Sequence, residues 1–246
     1  MSYPIYLICG NKGSGKDTLA DFMCQDRGIK ISLADPIKRF VFTVFKVPYD
    51  TLWGPSENRD FIIQADELEG RYQPGSRGEL GKYRDEWMKD LGLYPRQNML
   101  DDWFYRHIAG RDVTVRHILQ TLGTEFGRNA NPNIWVDYAL RTAHRVLVTS
   151  REYSCSLGVI DTIQKRYDFV VIPDGRFRNE VLAVLAKNGT AIKIVDPNAP
   201  PATGHVSETE LDTIHDRWFE IHWTNDKSKG LDKLKDFAGE ILWRAY

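Results

Sequence analysis

The chain is short of cysteine, of net charge and of long apolar runs, and each shortage removes a class of protein. Its 246 residues include three cysteines, Cys9, Cys24 and Cys155, in no metal-spaced pair. An odd count without such spacing suits a reducing compartment and argues against a disulfide framework. The formal net charge is -1, so no global basic field points to DNA or RNA, although a local phosphate site remains allowed. No window approaches the roughly 18 uninterrupted apolar residues of a membrane span, and Met-Ser-Tyr-Pro at the start lacks a basic region followed by an apolar run. A cytoplasmic protein with neither nucleic-acid nor membrane partners is therefore expected. Repeats and low-complexity tracts are absent too. What is present is a 42% hydrophobic content, enough for a core, in a chain long enough for one α/β domain with insertions. A single domain spanning 1–246 is the expectation.

The richest stretch lies close to the amino terminus, at Gly10-Asn11-Lys12-Gly13-Ser14-Gly15-Lys16-Asp17-Thr18. Ile5, Leu7 and Ile8 before it read as a buried strand, with Cys9 a small strand residue, and Leu19, Phe22 and Met23 continue behind it at helical spacing. Strand, glycine loop and helix in that order make a phosphate-binding loop. Glycines let backbone amides curl around phosphates, Lys16 reaches the β and γ oxygens, and the helix N-terminus favours the anion. Asp17 stands where many such loops carry a magnesium-ligating hydroxyl, which here comes one place later at Thr18. This Gly-Lys-x-Thr order resembles nucleoside monophosphate kinases, in which magnesium is held largely through water and the nucleotide, and it argues against a switch of the GTPase type. Asp17 interacts either with the helix start or with metal-bound water.

Further along, Ile29 to Leu33 reads as a second strand, and Asp35 as the N-cap of a helix whose first turn holds Pro36 and whose apolar face is Ile37, Phe40, Val41 and Val44. From about Val47 to Asp112 come Pro and Gly clusters, Trp, Tyr and mixed charges without a clean period. This reads as a mostly helical insertion on the substrate side, including a helix near Arg84 to Leu91. Thr114 is placed to cap a helix with Val115, Ile118, Leu119 and Leu122 on one face, interrupted or closed by Gly123 to Arg128. Another helix runs from about Pro132 through Val148. Tyr167 to Pro173 is a buried parallel strand ending in Asp174, followed by a late-starting helix within Gly175 to Lys187, strands at Ala191 to Val195 and Phe219 to Trp223, and a closing helix at Leu231 to Trp243. The alternation predicts an α/β protein with a parallel sheet of about five strands flanked by helices.

In such sheets ligands lie beyond the carboxyl ends of the strands, which gives weight to Asp174, Arg176 and Arg178. Asp174 is either an acidic group near magnesium, acting with Asp17 through water, or a helix cap or arginine partner. Arg176 is the first choice for compensating charge on a phosphoryl group in transfer, whereas Arg178 is as readily a solvated surface arginine. Lys38 and Arg39 either reach an acceptor phosphate or form a charged outer helix face, and Asp35 contacts substrate as well as capping or caps alone. Ser207 and Glu210 have capping-box spacing, and His205 stands in a loop that could approach phosphate.

The blocks Gly10 to Thr18, Leu33-Ala34-Asp35-Pro36-Ile37-Lys38, Leu122-Gly123-Thr124-Glu125 with Trp135, Pro173-Asp174-Gly175-Arg176 and Thr224-Asn225-Asp226, in this order, resemble the bacteriophage deoxynucleoside monophosphate kinases. The resemblance implies a P-loop kinase fold, transfer of the γ-phosphate of ATP to a deoxynucleoside monophosphate, and a need for Mg2+. It also places Arg116, Gln120, Glu125, Arg128 and Trp135 on the acceptor side. Trp135 either stacks on a base or belongs to the core, and Glu125 and Arg128 either contact substrate or pair with each other. Asn225, in the turn after the last strand, resembles the place where such kinases rest adenine, with helix capping by Asn225 or Asp226 as the alternative. A homodimer is compatible with the sequence. The alternatives in function are a kinase for another phosphorylated small molecule, such as dephospho-coenzyme A, and an ATP-dependent switch or assembly protein.

Overall fold

The computed structural model describes residues 4–11, 13–25, 27–75, 77–96, 98–149, 151–164, 166–198, 210–211 and 213–243. Lys12, His205 and Ser207 lie outside them. The helices are α1 (Lys16–Met23), α2 (Asp35–Val44), α3 (Tyr49–Trp53), α4 (Ala65–Tyr72), α5 (Glu79–Asp90), α6 (Asn98–His107), α7 (Val115–Thr121), α8 (Ile134–Val148), α9 (Arg178–Leu185) and α10 (Leu231–Trp243). They belong to two units, one made of Met1–Leu33, Ala139–Ser154 and Val159–Tyr246, the other of Ala34–Tyr138 and Cys155–Gly158.

The first unit is built on a five-stranded parallel sheet of β1 (Ile5–Cys9), β2 (Gly28–Lys30), β3 (Phe169–Gly175), β4 (Thr190–Val195) and β5 (Ile221–Thr224), in the order β2-β3-β1-β4-β5. Strand β1 is central, with Leu7 opposite both Ile172 and Ala191. Tyr6 to Cys9 are buried on both faces because helices cover both, which is why the strand reads as an unbroken apolar run. Tyr6 and Ile8 join Leu19, Ala20 and Met23 of α1 and Leu234, Phe237 and Ile241 of α10 in one core. Val181 and Val184 of α9 are likewise buried. The parallel α/β sheet is the one expected from the strand and helix pattern, down to the limits of α10, and it is consistent with the P-loop kinase fold that the resemblance implies. The predicted end of β3 moves, since the strand runs on through Asp174 to Gly175.

The register of β1 against β3 shifts between Leu7 and Cys9, so that Cys9 lies opposite Gly175. A Cβ on Gly175 would stand 2.6 Å from Cys9 Sγ and 2.8 Å from a Leu7 methyl, which explains the glycine. Close approach at this point brings the two carboxyl ends, and the loops that leave them, side by side. A two-stranded pair, Arg151–Ser154 with Gly158–Gln164, was not foreseen in the sequence.

The second unit holds α2 to α7 and is organised by aromatic side chains. Tyr72 and Phe104 stack at 4.0 Å between centroids, Phe45 stacks on both, Phe40 meets Trp87 at 4.5 Å, and Trp87 stacks on Phe126 at 5.6 Å. Such pairs bury large areas with defined geometry, and their spacing along the chain need not follow a helical period. The predicted helix near Arg84 is α5, which starts earlier at Glu79. After α7, capped as expected by Thr114 Oγ1 accepting from the His117 N–H at 3.1 Å, the chain is not closed at Gly123 but continues as a π-helical turn over Leu122–Arg128. The cause is Trp135, whose indole ring fills the space where a Gly127 Cβ would stand, 2.1 Å away, and whose Nε1 donates to Gly123 O at 2.8 Å. An indole wedged between two glycines widens the turn.

Candidate active site

The loop between β1 and α1 has the shape that an anion requires. Gly13 and Gly15 adopt φ of 80° and 97°, where L side chains are strained, and the turn is closed by the Ser14 N–H donating to Asn11 O at 3.1 Å. Gly10 is glycine for a different reason, since a Cβ there would stand 2.3 Å from Ile194 O. Lys16, the first residue of α1, is only 8% exposed and donates through Nζ to Asn11 O at 2.7 Å. Burial, then the neighbouring Arg176 guanidinium, pull its ammonium down from 10.5 to about 8, while Asp17 and Asp174 act in the opposite direction. Two buried polar atoms in the loop, Ser14 Oγ and Asn11 Oδ1, have no hydrogen-bond partner among the described residues. An arriving phosphate would give the Ser14 hydroxyl an acceptor.

Beside this loop, β3 delivers Asp174 and Arg176. Ser32 Oγ donates to Asp174 Oδ2 at 2.5 Å and the Leu33 N–H donates to Oδ1 at 2.9 Å, so the segment after β2 fixes the carboxylate. Arg176 is held through its backbone: its N–H, like that of Phe177, donates to Glu180 Oε2, at 2.8 and 2.9 Å. Glu180 is the third residue of α9 and is buried, so half of a capping box orients the turn that carries the arginine. Arg178 points outward, and its backbone N–H donates to Glu210 Oε1 at 3.3 Å, which places Glu210 at the start of α9. Lys16, Asp17, Asp174 and Arg176 thus share one electrostatic neighbourhood.

The residues suit a nucleotide's phosphates and a magnesium ion held mostly by water. Among the described residues no group of three or more His, Cys, Asp or Glu side chains could enclose a metal. Magnesium does not need one, since it keeps several waters and binds one or two carboxylates with substrate phosphates. Asp174 offers a fixed carboxylate, Asp17 is exposed at the first turn of α1, and Thr18 is half-buried.

Asn225 sits in the turn after β5 but faces the phosphate loop. Its Nδ2 donates to Ser14 O at 2.8 Å, and the Gly15 Cβ position lies 2.4 Å from the same nitrogen. Capping falls to Asp226, whose Oδ1 accepts from the Ser228 N–H at 3.1 Å. Lys227 pairs with the buried Asp196 at 2.7 Å, which holds that carboxyl below its usual range.

In the second unit the predicted acceptor-side residues form several local groups. Helix α2 begins at Asp35 itself, with Ala34 rather than Asp35 in the cap position. The Asp35 carboxylate, 2% exposed, instead accepts from Trp53 Nε1 at 3.1 Å. Trp53 stacks on the half-exposed Tyr49 at 4.9 Å and carries Lys38 Nζ 5.8 Å from its ring centre. Arg39 is buried and donates to Tyr138 Oη and, at 3.4 Å, to Cys155 O. Arg116 donates to both Asp60 oxygens, at 2.7 and 3.3 Å, and to Ser56 O at 2.8 Å. Glu125 Oε2 accepts from Asn129 Nδ2 at 3.1 Å. Gln120 is exposed on α7, Arg128 is half-buried, and Trp135 is a core residue.

No protein-family model matches the chain. Aligned over 237 residues, it is 25% identical to a protein of Acanthamoeba polyphaga mimivirus described as "Putative deoxynucleotide monophosphate kinase", covering 96% of this chain and 92% of that protein. It is also 24% identical over 236 residues to the deoxynucleotide monophosphate kinase of Enterobacteria phage T4, covering 84% of this chain and 87% of that one. The chain is similar along most of its length to these two viral proteins. The relationship spans both units, and the names support a phosphotransferase that uses a nucleotide. Against this kinase background, Glu180, Ser32, Trp53 and Asp60 are residues that sequence reasoning missed. Glu180 alone had a readable signal, standing three residues after the Phe177 cap position of a helix that begins late. The other three act through contacts between distant segments.

Proposed function

We propose that the protein is an ATP:deoxynucleoside monophosphate phosphotransferase that converts a dNMP to the dNDP. The observation that carries this reading is the cluster at the carboxyl end of the sheet, where Lys16, Asp174 and Arg176 surround an anion-shaped loop. The two viral relatives point to a deoxynucleotide as the acceptor. The ATP phosphates rest on the amides of Gly13 to Lys16, with the Lys16 ammonium on the β and γ oxygens. Asp17 and Asp174 are the residues that would hold magnesium, through water. When bound, magnesium would supply positive charge against the phosphates of the nucleotide.

The acceptor is assigned to the second unit. Lys38 and Arg116 supply cations, and Tyr49 with Trp53 supplies an aromatic surface beside the buried Asp35. Asp60 already engages Arg116, so an acceptor phosphate has to displace or share that carboxylate. Because a nucleoside monophosphate oxygen is anionic near neutral pH, the reaction needs no strong general base. Catalysis then consists of alignment and charge compensation, and Arg176 is the guanidinium assigned to the phosphoryl group in flight.

The test is ADP formation from ATP over a panel of deoxynucleoside and nucleoside monophosphates, with dephospho-coenzyme A included. Acceptor-dependent ADP release with one or more dNMPs is the expected result. Turnover with dephospho-coenzyme A alone assigns a different acceptor, and slow release that ignores every acceptor assigns a switch.

A further inference from the structure

Building on the reading of the Gly10 to Thr18 loop as the donor site, we propose that Asn225 is a positioning residue that holds the phosphate loop in its receiving shape. The loop carries two residues at positive φ, Gly13 and Gly15, which leave its backbone free to relax when no phosphate is present. Among the described residues its internal ties are few. The Ser14 N–H and Lys16 Nζ both donate to Asn11 O, and Lys16 has to leave that oxygen to reach a nucleotide. What keeps the crest in place at that moment must come from outside the loop.

Asn225 is built for this. It is 7% exposed, and its own backbone N–H donates to Val195 O at 2.7 Å, which anchors it to the end of β4 in the sheet. From that anchor its Nδ2 reaches across 211 positions of sequence to Ser14 O at 2.8 Å. Ser14 O belongs to the peptide unit whose N–H is that of Gly15, so fixing the carbonyl also fixes where that N–H points. The amide occupies the volume that a side chain at Gly15 would need, 2.4 Å from its Cβ position, so the loop cannot sag toward β5 without a clash. One of its two N–H donors is thereby committed to the loop.

The experiment uses the full-length protein and compares wild type with Asn225→Asp, which has the same size but lacks the donor when ionised, and Asn225→Ala. ADP binding is measured by calorimetry, the KM for ATP and for the best dNMP by kinetics, and folding by circular dichroism and thermal unfolding. The account predicts that ADP and ATP affinity fall by roughly ten- to a hundredfold, the cost of leaving a buried acceptor unpaired, while the acceptor KM stays within about twofold. It also predicts faster hydrogen exchange at the amides of Ser14 to Lys16 in either folded variant, so one folded variant suffices. Unchanged donor affinity overturns the proposal, as does a parallel loss of donor and acceptor affinity that tracks thermal stability. A wild-type protein that binds no ADP and no ATP overturns the donor-site reading and this proposal with it, whereas a binding wild type with indifferent variants overturns this proposal alone.

Discussion

The Glu180 carboxylate accepts the backbone N–H of Arg176 at 2.8 Å and is itself 4% exposed. A buried carboxylate at the start of α9 thereby sets the turn that carries the guanidinium assigned to the transferred phosphoryl group. Replacing it with alanine strips two backbone donors, those of Arg176 and Phe177, of this acceptor. Glu180→Ala is expected to lose about 1–3 kcal/mol of stability and to lower kcat while leaving the KM for ATP nearly unchanged. Denaturant unfolding together with steady-state kinetics checks both halves. A stability loss with kcat intact reduces Glu180 to a helix cap.

Lys16 sets a pH dependence. Its ammonium is pulled from 10.5 to about 8 in the folded protein, chiefly by burial. Between those values the unfolded chain keeps a proton that the folded one has released, so this group makes stability rise with pH from about 8 upward; below about 8 both states are charged and the cost of burying the cation is constant. A bound triphosphate favours the charged form. Nucleotide affinity is therefore expected to weaken as pH rises through 8, with proton uptake on binding. Calorimetry of ADP binding at several pH values, in buffers of different ionisation enthalpy, measures both effects. In Lys16→Met both should vanish.

Two glycines make a controlled pair. Gly15 sits at φ 97° with Asn225 Nδ2 2.4 Å from its Cβ position, whereas Gly70, inside α4, has open space there. Gly15→Ala should destabilise the protein and abolish tight nucleotide binding. Gly70→Ala should stabilise by about 0.5–1 kcal/mol through helix propensity, with kinetics unchanged. Thermal unfolding of the two variants side by side is the check.

Arg39 tests how far the acceptor assignment extends. Its guanidinium is held by Tyr138 Oη and Cys155 O, 5.4 Å from the Tyr138 ring centre, and the Gly158 Cβ position lies 3.6 Å from it. As a tie between α2 and the Cys155–Gly158 turn, it should cost about 1–3 kcal/mol of stability in Arg39→Ala, with the acceptor KM changed less than about threefold. A tenfold or larger rise in that KM at unchanged stability would return Arg39 to the acceptor phosphate.

The phosphate loop, the five strands and α10 were legible because each obeys a local rule: glycine spacing, an unbroken apolar run, an amphipathic period. The second unit was legible only in part: α2, α5 and α7 followed from local signals, but its core brings together Phe40, Phe45, Tyr72, Trp87, Phe104 and Phe126, whose contacts cross several helices and follow no single period. Trp135 illustrates the same limit within a readable block. Its tie to Gly123 and Gly127 accounts for the π-helical turn, yet the pairing spans twelve positions and has no short-range signal. Of the site, the groups that would touch phosphate followed from motif chemistry. Of the groups that aim them, Asn225 was named for a place near adenine rather than for its bond to the loop, Glu180 had only its spacing from the Phe177 cap position, and Ser32 became visible only through the contact it makes.

The central claim is transfer from ATP to a deoxynucleoside monophosphate, and the direct measurement is ADP release by wild type, Lys16→Ala and Arg176→Ala with each of the four common dNMPs. Wild type is expected to release ADP only when a dNMP is present, forming dNDP in equal amount. Each folded variant should turn over about 10²- to 10³-fold more slowly. ADP release that no dNMP stimulates, or full turnover in a folded Lys16→Ala protein, would contradict the account.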